Sequence, residues 1–585
     1  MSDADKCQKI MDLAKRRGFF WLSYDLYGGV SGFIDYGPLG ALMKRKIEQK
    51  WADTFIRKER IMFIETPIIT PKIVFEASGH TIHFSDLITS CKSCGRSWRA
   101  DHLLEEQANI SGEGLDIKEL DAKIHKHNIK CPECSGELGE PQLFNELFET
   151  NIGPYSGNTG YGRPETAQGI FTNFKRLYEL ARNKLPFGVA QIGKCVRNEI
   201  SPRQGPIRLR ELTIMEFEFF FNPENCKCDR IKGVETENLR ILHEELIQNA
   251  IDTPVEVSVK EALVKGYIKS EWTAYFMALA KRFMRNLGVP DKNQCFIEKL
   301  SGQRAHYSAQ TFDQVIELTR WGLVEVSGHA LRTDYDLKMH MAYSGVDLRV
   351  LVPYEKSKKV KKSIILPSKK NLFETFGGES VYLSRLLGIT SPQEINEAFS
   401  RNGYYDLKGI GKSYKILPEH VQFNETFVEE TGSRFLPSVV EPSFGSDRIL
   451  YATLENAYVE KEGRAVLQLP KDISPVEIAV FPLVSKDGLL EKTMNLYGML
   501  NDSEYSFTVE YESSGSIGKR YARADEAGIP IAITVDYQTL EDETVTLRDR
   551  DSWRQVRTEI DKLPLLLSKY FKSKIEFLDI GKPIN

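Results

Sequence analysis

The sequence has few cysteines, no long apolar run and no internal repeat. Nine cysteines in 585 residues are too sparse for a disulfide scaffold. No apolar run approaches the roughly 20 residues that a membrane helix needs, and the opening segment MSDADKCQKIMDLAKRRG is charged where a signal peptide requires an apolar stretch. We therefore expect a cytoplasmic protein that has no membrane partner.

A strong excess of one charge is also missing. The formal net charge is -4, so no basic field over the whole molecule indicates a nucleic-acid partner, and any such surface must be local. The sequence is long, with 585 residues of which 41% are apolar. Because a single core usually stops growing at roughly 250 to 300 residues, we expect two or three domains with insertions.

Apolar periodicity predicts the main elements. Residues 38–55 carry apolar side chains at helical spacing, and Pro38 suits the first turn. The next run, MFIETPIITP, contains Pro67 and Pro71 and predicts an edge or interface strand, because proline cannot donate to a ladder. Further on, VAQIGKCVRNE and ELTIMEFEFFF predict two strands of a long antiparallel hairpin.

The chain changes its pattern after Pro475. The runs VEIAVFPLV, FTVEYE and IPIAITVD predict strands separated by helix-compatible stretches, and residues 551–571 form a long amphipathic segment. Strands that alternate with helices predict a separate, mostly parallel α/β domain at the C-terminus.

The hairpin places arginine and carboxylates on one sheet face, since side chains at every second position share a face. The alternating residues are Cys195, Arg197 and Glu199 on the first strand and Ile214, Glu216 and Glu218 on the second. The loop ISPRQGPIRLR adds three arginines, Arg203, Arg208 and Arg210. A pattern of this kind is often only a solvated face with ion pairs. Clustered guanidiniums on a rigid hairpin nevertheless suit a nucleotide, because arginine grips phosphate oxygens bidentately and stacks on a base.

Four cysteines form two close pairs, Cys91 with Cys94 and Cys131 with Cys134, each with two residues between. Four thiolates of this kind close a tetrahedral structural zinc site and leave no open coordination position for catalysis. The spacer between the pairs is longer than the roughly 15 to 20 residues of compact sites. Structural Zn²⁺ is the prediction, and buried reduced cysteines are the alternative.

Several segments resemble class II aminoacyl-tRNA synthetases. VRNEISPRQGPIRLREL resembles motif 2, EPSFGSDRILY, which ends past Arg448, resembles motif 3, and residues 38–55 with FIETPIITP resemble motif 1, the dimer-forming element. One departure is Asp447, where many class II enzymes have a second glycine. The segments YGGVSGFIDYGPLG, ASGH, RADHLL, RPETAQGIF, EISPR and EPSFG are together similar to glycyl-tRNA synthetases of the archaeal and eukaryotic dimeric type.

The resemblance implies an α+β catalytic domain, built as an antiparallel sheet flanked by helices, with a C-terminal α/β anticodon-binding domain and insertions. It implies a homodimer that activates glycine with ATP and Mg²⁺ and transfers it to the 3′ end of tRNA(Gly). The expected boundaries are catalytic core with motif 1 at 1–82, a zinc-ribbon-like insertion at 83–140, core with motif 2 at 141–221, an insertion at 222–320, core at 321–344, an insertion at 345–425, core with motif 3 at 426–473, and the anticodon-binding domain at 474–585.

The resemblance also assigns residues. Arg197 is expected to bind the α-phosphate and Arg448 the γ-phosphate, both as catalytic residues, with Glu325 near Mg²⁺. The expected ATP-binding residues are Arg197, Asn198, Glu199, Ile207, Arg208, Leu209, Arg210, Glu211, Leu212, Glu325, Val326, Gly445, Ser446, Asp447 and Arg448. The expected glycine-binding residues are Arg99, Glu165, Glu216, Glu441 and Ser443. Glycine offers no side chain to grip, so selection must work by exclusion of larger amino acids and by ammonium binding in a small acidic pocket.

Two other interpretations stay open at this point. One is another class II synthetase of the threonine, proline or histidine group, against which RPETAQG and EPSFG argue. The other is a non-catalytic, synthetase-derived accessory protein that binds nucleic acid. Such a protein would be expected to lose the ATP-binding arginines, whereas Arg197 and Arg448 are both present.

Overall fold

The computed structural model describes residues 3–110, 112, 115–154, 157–200, 202, 205–302, 304, 308–409 and 412–584, so Arg203 of the hairpin loop lies outside the described residues. Within these ranges, no helix combines the length and the apolar character that crossing a membrane would take.

The first part of the chain runs to the end of the hairpin. Its helices are α1 (Asp3–Arg17), α2 (Pro38–Trp51), α3 (Lys72–Ser78), α4 (His80–His83), α5 (Ala100–Ala108), α6 (Ile117–Lys126), α7 (Ala167–Phe171) and α8 (Phe174–Leu180). Its strands are β1 (Phe20–Leu22), β2 (Ile34–Tyr36), β3 (Met62–Phe63), β4 (Ile69–Pro71), β5 (Ser85–Ser90), β6 (Ser97–Arg99), β7 (Gln142–Asn145), β8 (Phe148–Asn151), β9 (Thr159–Gly162), β10 (Phe187–Val196) and β11 (Glu211–Phe221). A π-helical turn, Ala52–Arg57, continues α2.

The middle part follows the hairpin. Its strands are β12 (Asn238–Leu242), β13 (Val255–Ser258), β14 (Gln294–Glu298), β15 (Gln310–Leu318), β16 (Gly322–Thr333), β17 (Val350–Pro367), β18 (Tyr405–Lys408), β19 (Ser413–Ile416), β20 (Val421–Phe435), β21 (Ser438–Gly445), β22 (Tyr458–Lys461) and β23 (Arg464–Leu467). Its helices are α9 (Glu244–Gln248), α10 (Val259–Val264), α11 (Glu271–Asn286), α12 (Tyr335–Ser344), α13 (Lys369–Phe376), α14 (Ser380–Ile389), α15 (Pro392–Asn402) and α16 (Ser446–Ala457).

The C-terminal part has its own sheet and core. Its strands are β24 (Ile478–Pro482), β25 (Val509–Tyr511), β26 (Ile531–Val535), β27 (Thr544–Asp549), β28 (Gln555–Glu559) and β29 (Lys582–Ile584). Its helices are α17 (Leu489–Asn501), α18 (Ile517–Ala527), α19 (Tyr537–Asp542) and α20 (Leu563–Phe571).

A nine-stranded sheet forms the centre of the catalytic part, in the order β13-β12-β14-β15-β16-β21-β11-β10-β3. Most neighbours are antiparallel, whereas β3 with β10 and β12 with β14 are parallel. Alternation along β11 sends Met215 and Phe217 to a back face, where they join Trp51 of α2, Phe276 of α11 and Leu450 of α16 in one core. The predicted antiparallel sheet flanked by helices is confirmed.

Two predicted insertions differ from each other in the structure. Residues 222–320, interpreted as an insertion, supply β12, β13, β14 and β15 to the central sheet, so this segment is part of the same layer. The second one, 345–425, instead contains β17 and the first residues of β20. These two strands form a long antiparallel ribbon that carries α13, α14 and α15 and runs on to Phe435, past the expected boundary at 425. These helices have a hydrophobic core of their own, which includes Leu383 and Leu387.

The C-terminal sheet has the order β25-β24-β26-β27-β28-β29. Only β25, β24 and β26 are parallel, and the remaining pairs are antiparallel. The expectation of a mostly parallel domain is therefore wrong for half of the sheet, because β27 and β28 form a hairpin that the sequence interpretation did not include. Strand β28 also occupies part of segment 551–571, which leaves α20 as its only long helix.

Candidate active site

The hairpin and two neighbouring strands build one polar sheet face. Strand β11 pairs with β21 so that Glu216 lies opposite Ser443, and β16 pairs with β21 so that Ala330 lies opposite Glu441. Side chains at alternate positions share a face, so the front of the sheet collects Glu216, Glu218, Glu441 and Ser443. Helices α2, α11 and α16 pack on the back, whereas α7, α8 and α12 cover one end of the front face around Phe220. The rest of the front face is left for ligands.

A cleft opens on this front face. It is lined by Arg197, Glu199, Pro206, Ile207, Leu209, Leu212, Ile214, Glu325, Val326, Ser327, Ser443, Phe444, Gly445, Asp447 and Arg448. The structure thus brings together both predicted catalytic arginines and most of the predicted ATP-binding residues. It combines two guanidiniums with a partly apolar wall, which suits a nucleotide that has charged phosphates and a flat base.

The two arginines reach the cleft from different elements. Arg197 follows β10, and its Nε donates to the carbonyl oxygen of Pro164 at 3.1 Å. Arg448 lies in the first turn of α16, where its Nε donates to the carbonyl of Ile207 at 2.8 Å and its Nη1 to the carbonyl of Glu325 at 2.9 Å. Both side chains are therefore oriented by backbone acceptors.

Carboxylates beside the two arginines influence the charge of the cleft. Arg448 Nη1 also lies 3.1 Å from a carboxylate oxygen of Glu325. Burial would raise the pKa of Glu325, but Arg448, Lys299 and Arg197 hold it below its ordinary value, so this carboxylate is ionised and can meet a cation. Burial would lower the pKa of Arg197, but Glu199, Glu325 and Glu146 act together to raise it above its ordinary value.

Other predicted ATP-binding residues lie beside the cleft rather than in its wall. Arg208 lies 3.4 Å from Glu199, and Arg210 donates to the carbonyls of Glu199 and Ser31. The remaining three are Asn198, next to a neighbouring hollow, Glu211, paired with Lys194 at 3.0 Å, and Ser446, fully buried against Glu48.

A buried group of carboxylates adjoins the cleft. Oxygen Oε2 of Glu216 accepts hydrogen bonds from Thr166 N at 2.9 Å and Thr166 Oγ1 at 2.7 Å. Carboxylate oxygens of Glu216, Glu218 and Glu441 lie within 4.8 Å of one another. The group therefore concentrates negative charge at one buried point of the sheet.

One arginine neutralises part of this charge. Arg332 of β16 is fully buried. Its guanidinium bonds to Glu441, to Glu165 at 3.2 Å and to Asp336 at 3.1 Å. Burial alone would raise the pKa of Glu165, but Arg332 and then His80 hold it well below its ordinary value.

Glu218 is the exception in this group. It is fully buried, and neither of its carboxylate oxygens has a hydrogen-bond partner among the described residues. Burial, reinforced by Glu441, raises its pKa well above the ordinary value. A buried acid without a partner is costly, so a cationic ligand at this point would relieve an existing penalty.

Sequence reasoning missed Arg332 and Asp336, and it noted Glu218 without assigning it a role. Arg332 falls in a segment that was already interpreted as catalytic core. A buried strand that carries an isolated arginine signals a buried acid partner, and this signal could have identified it. The positions of Glu165 and Asp336 around it depend on the tertiary fold.

Comparison with known proteins agrees with this geometry. Residues 477–570 match the family model described as the anticodon binding domain. The glycine–tRNA ligase of Aeropyrum pernix is 46% identical over 99% of this chain and 99% of its own length. The glycine–tRNA ligase of Methanocaldococcus jannaschii is 44% identical over 97% of this chain and 100% of its own length. The glycine–tRNA ligase of Pyrococcus furiosus is 46% identical over 97% of this chain and 99% of its own length. The chain belongs to the glycine–tRNA ligase family. The prediction of a class II aminoacyl-tRNA synthetase is thereby confirmed, and the two alternative interpretations are set aside.

Arg99 lies at the edge of the glycine–tRNA ligase site. Its guanidinium pairs with Asp86 at 2.7 Å and with Asp101 at 2.6 Å. Although burial opposes it, Asp101, Asp86 and Glu146 raise the pKa of Arg99, and Glu146 also interacts with the charge of Arg197 in the cleft. The structure brings Glu165, Glu216, Glu441 and Ser443 together but gives Arg99 no contact with them among the described residues.

The ligase-family chain also brings its paired cysteines together. The Sγ atoms of Cys91 and Cys134 are 3.4 Å apart, and those of Cys94 and Cys131 are 3.7 Å apart. All four sulfur atoms lie within 4.8 Å of one another. Four sulfur atoms bound to one Zn²⁺ at about 2.3 Å would have comparable separations. The donor set and its spacing therefore fit a tetrahedral zinc ion.

Proposed function

We propose that this glycine–tRNA ligase family member activates glycine with ATP and transfers it to tRNA, with ATP in the cleft and glycine among the buried carboxylates. The observation that carries the proposal is the contact between the two sites. Ser443 lines the cleft and lies opposite Glu216 of the carboxylate group in the β11–β21 register. A glycine held at Glu216 would therefore present its carboxylate to the α-phosphate.

The chemistry needs little covalent help from the protein. The glycine carboxylate is the nucleophile at the α-phosphorus, and pyrophosphate leaves in line, so the protein contributes positioning and charge stabilisation. Arg197 would stabilise charge at the α-phosphate, and Arg448 would hold the γ-phosphate. No residue needs to act as a general base in this step.

Glycine selection would follow from charge and volume. The carboxyl groups of Glu165, Glu216, Glu218 and Glu441 outnumber the one guanidinium of Arg332. Burial raises the pKa of Glu218 and of Glu441 well above the ordinary value, so a bound ammonium ion would favour their ionised forms and complete the charge balance. Each of these four glutamate residues is at least nine-tenths buried. A larger amino acid would have to displace close-packed groups, whereas glycine would not.

Metal ions and partners complete the proposal. Mg²⁺ would accompany ATP, with the ionised Glu325 beside it, and Cys91, Cys94, Cys131 and Cys134 would hold a structural Zn²⁺ that stabilises their insertion. Residues 474–585 would bind the anticodon region of tRNA(Gly). The other expected boundaries also remain proposals, except that 222–320 belongs to the catalytic sheet. The enzyme would act in the cytoplasm.

Dimerisation would use β4 and its surroundings. The apolar residues Met43, Ile47 and Trp51 of α2 are buried within the chain, so this helix face is already occupied. Ile68 and Ile69 of the motif 1 run are 42% and 47% exposed. Exposed neighbouring isoleucines suit a partner surface. We expect sedimentation equilibrium to give the mass of two chains, and a monomer at working concentration would contradict this part.

Pyrophosphate exchange into ATP, measured with each amino acid in turn, tests the activity without any choice of tRNA. We expect exchange with glycine alone, and a loss of about 100-fold or more in kcat/KM for glycine in Glu216→Gln, because the ammonium loses a buried charged partner. Glu317→Gln is the matched control on the same sheet, since Glu317 of β15 is exposed and does not line the cleft. Exchange with another amino acid, or none from folded protein, would overturn the proposal.

Metal analysis tests the zinc part. The purified chain is expected to hold one zinc per protomer, and Cys131→Ser is expected to lose it together with thermal stability, because metal binding and local folding are coupled. Cys226→Ser is a matched control, since Cys226 is exposed and lies outside the cluster. Zinc-free protein of unchanged melting temperature would contradict a structural metal.

A further inference from the structure

The position that departs from the class II pattern, Asp447, has an unexpected environment. Asp447 and Arg448 are consecutive residues in the first turn of α16, so their side chains leave the helix about 100° apart. Arg448 reaches across the front of the sheet to Ile207 and Glu325. The side chain of Asp447 is only 4% exposed and lies against β2, α2 and β11 instead.

Three groups satisfy the Asp447 carboxylate. Oxygen Oδ2 accepts from Thr213 N of β11 at 2.6 Å, and Oδ1 accepts from the Tyr36 hydroxyl at the end of β2. The ammonium of Lys44 on α2 lies 3.2 Å from Oδ1. Burial raises the pKa of Tyr36 well above its ordinary value, and Asp447 adds to this, so the hydroxyl keeps its proton and remains a donor.

A second set of contacts joins the same helices and strands. Lys44 Nζ also donates to Thr213 Oγ1 at 2.5 Å and lies 3.6 Å from Glu48 on its own helix. Glu48 in turn accepts from Ser446 Oγ at 2.9 Å. Ser446 and Asp447 thus both bind α2, and Arg448 follows directly. The first turn of α16 is held to the motif 1 helix and to the motif 2 strand at once.

We propose that Asp447 is a positioning residue, which fixes the first turn of α16 so that Arg448 is held at the triphosphate end of the cleft. This inference rests on the proposed role of Arg448 in ATP binding. It replaces the expectation that Asp447 and Ser446 themselves bind ATP, because their polar atoms are already engaged inside the protein. A glycine at this position would offer no side chain to Tyr36, Lys44 and Thr213.

The chemistry of the site supports an anchor rather than a ligand contact. A carboxylate next to a triphosphate would repel it, whereas Asp447 is paired with Lys44 and turned inward. Its negative charge also lies in the first helical turn, where the helix dipole favours it. The pairing therefore gives a carboxylate in an ATP-binding motif without adding repulsion at the phosphates.

The test compares ATP and glycine in three variants. Asp447→Asn keeps the shape but removes the charge, and we expect it to raise the Kd and KM for ATP about 10- to 100-fold, because a displacement of about 1 Å costs on that order. The KM for glycine is expected to stay within about twofold. Tyr36→Phe removes one hydrogen-bond donor and is expected to raise the Kd and KM for ATP by a smaller factor. The double variant is expected to be no worse than Asp447→Asn alone, since both remove one network.

Lys46→Met is the matched control. Lys46 lies on α2 as Lys44 does, but it pairs with Glu477 at 2.9 Å and not with α16. Its ATP and glycine constants are expected to equal those of the wild type. If Asp447→Asn does not fold, Tyr36→Phe carries the test by itself.

Two outcomes would overturn the inference. One is a lower melting temperature in Asp447→Asn or Tyr36→Phe with an unchanged Kd for ATP. The other is an equal change in the ATP and glycine constants, which indicates general disruption. ATP binding is measured by calorimetry without glycine. A wild type that binds ATP but shows no glycine-dependent exchange would therefore refute the proposed function and leave this inference open to the same measurement.

Discussion

The cleft proposed for ATP and the carboxylate pocket share one sheet face, but their arginines differ in burial and in hydrogen-bond partners. In the cleft, Arg197 and Arg448 donate mainly to backbone carbonyls, Arg448 also pairs with the carboxylate of Glu325, and neither arginine is fully buried. In the pocket, Arg332 is fully buried and bonds to the carboxylates of Glu165 and Glu441. An arginine oriented by neutral acceptors keeps its charge available to a phosphate. One surrounded by carboxylates is already neutralised and organises them.

The largest expected effect follows from removing the pocket arginine. Arg332→Met leaves Glu165, Glu441 and Asp336 without their shared cation, and breaking a buried ion network in this way costs about 3–5 kcal/mol. We expect a lower free energy of unfolding by this amount in urea, together with loss of glycine-dependent exchange. Arg349→Met, which removes an exposed partner of Asp347, is expected to cost no more than about 1 kcal/mol. Equal costs in the two variants would remove the distinction between the regions.

A smaller stability effect and a selective kinetic one are expected in the cleft. Arg448→Gln removes the cation that would meet the triphosphate, so kcat/KM for ATP is expected to fall about 100- to 1000-fold while the KM for glycine changes little. Steady-state pyrophosphate exchange measures both constants. Arg434→Gln, on exposed β20, is the control. If the glycine constant rises as much as the ATP constant, the two sites are not separate in function.

The last expected effect is spread over several pH units and is a pH dependence of stability near the cleft, at Glu146. Burial, then Glu199 and Asp86, raise the pKa of Glu146 to about 8, whereas an unfolded glutamate titrates near about 4.3. Between these values the folded state binds more protons than the unfolded state, so the free energy of unfolding falls as the pH rises. Glu146→Gln removes this contribution. Its gain in melting temperature over the wild type is expected to grow from pH 5 to pH 8.

The control for this pH series is Glu149→Gln, because Glu149 is an exposed residue of the adjacent strand β8. Its difference from the wild type is expected to stay constant over the same range. A gain for Glu146→Gln that is also constant with pH would contradict the raised pKa of Glu146.

Local patterns predicted the elements that belong to continuous segments. The sequence predicted the hairpin of β10 and β11, helix α2 and the cysteine pairs. Strand alternation, helical spacing and ligand spacing are all properties of residues that are neighbours in the chain. The same holds for Arg197 and Arg448, which lie in compact motifs. Segment 222–320 was misjudged, since the hydrogen-bond partners of β12 and β15 lie in other segments and no local pattern records them.

The sequence by itself determined the family, the two-part α+β and α/β organisation and most of the residues that line the cleft proposed for ATP, since each depends on short motifs whose side chains are neighbours. Only the tertiary structure decided that Arg332 would pair with Glu165 and Glu441, and that Asp447 would turn toward Lys44. The same holds for Glu218, which has no hydrogen-bond partner within the described part of the chain. These contacts join residues far apart in the chain. Burial and low local dielectric make such contacts strong, and only folding creates both conditions.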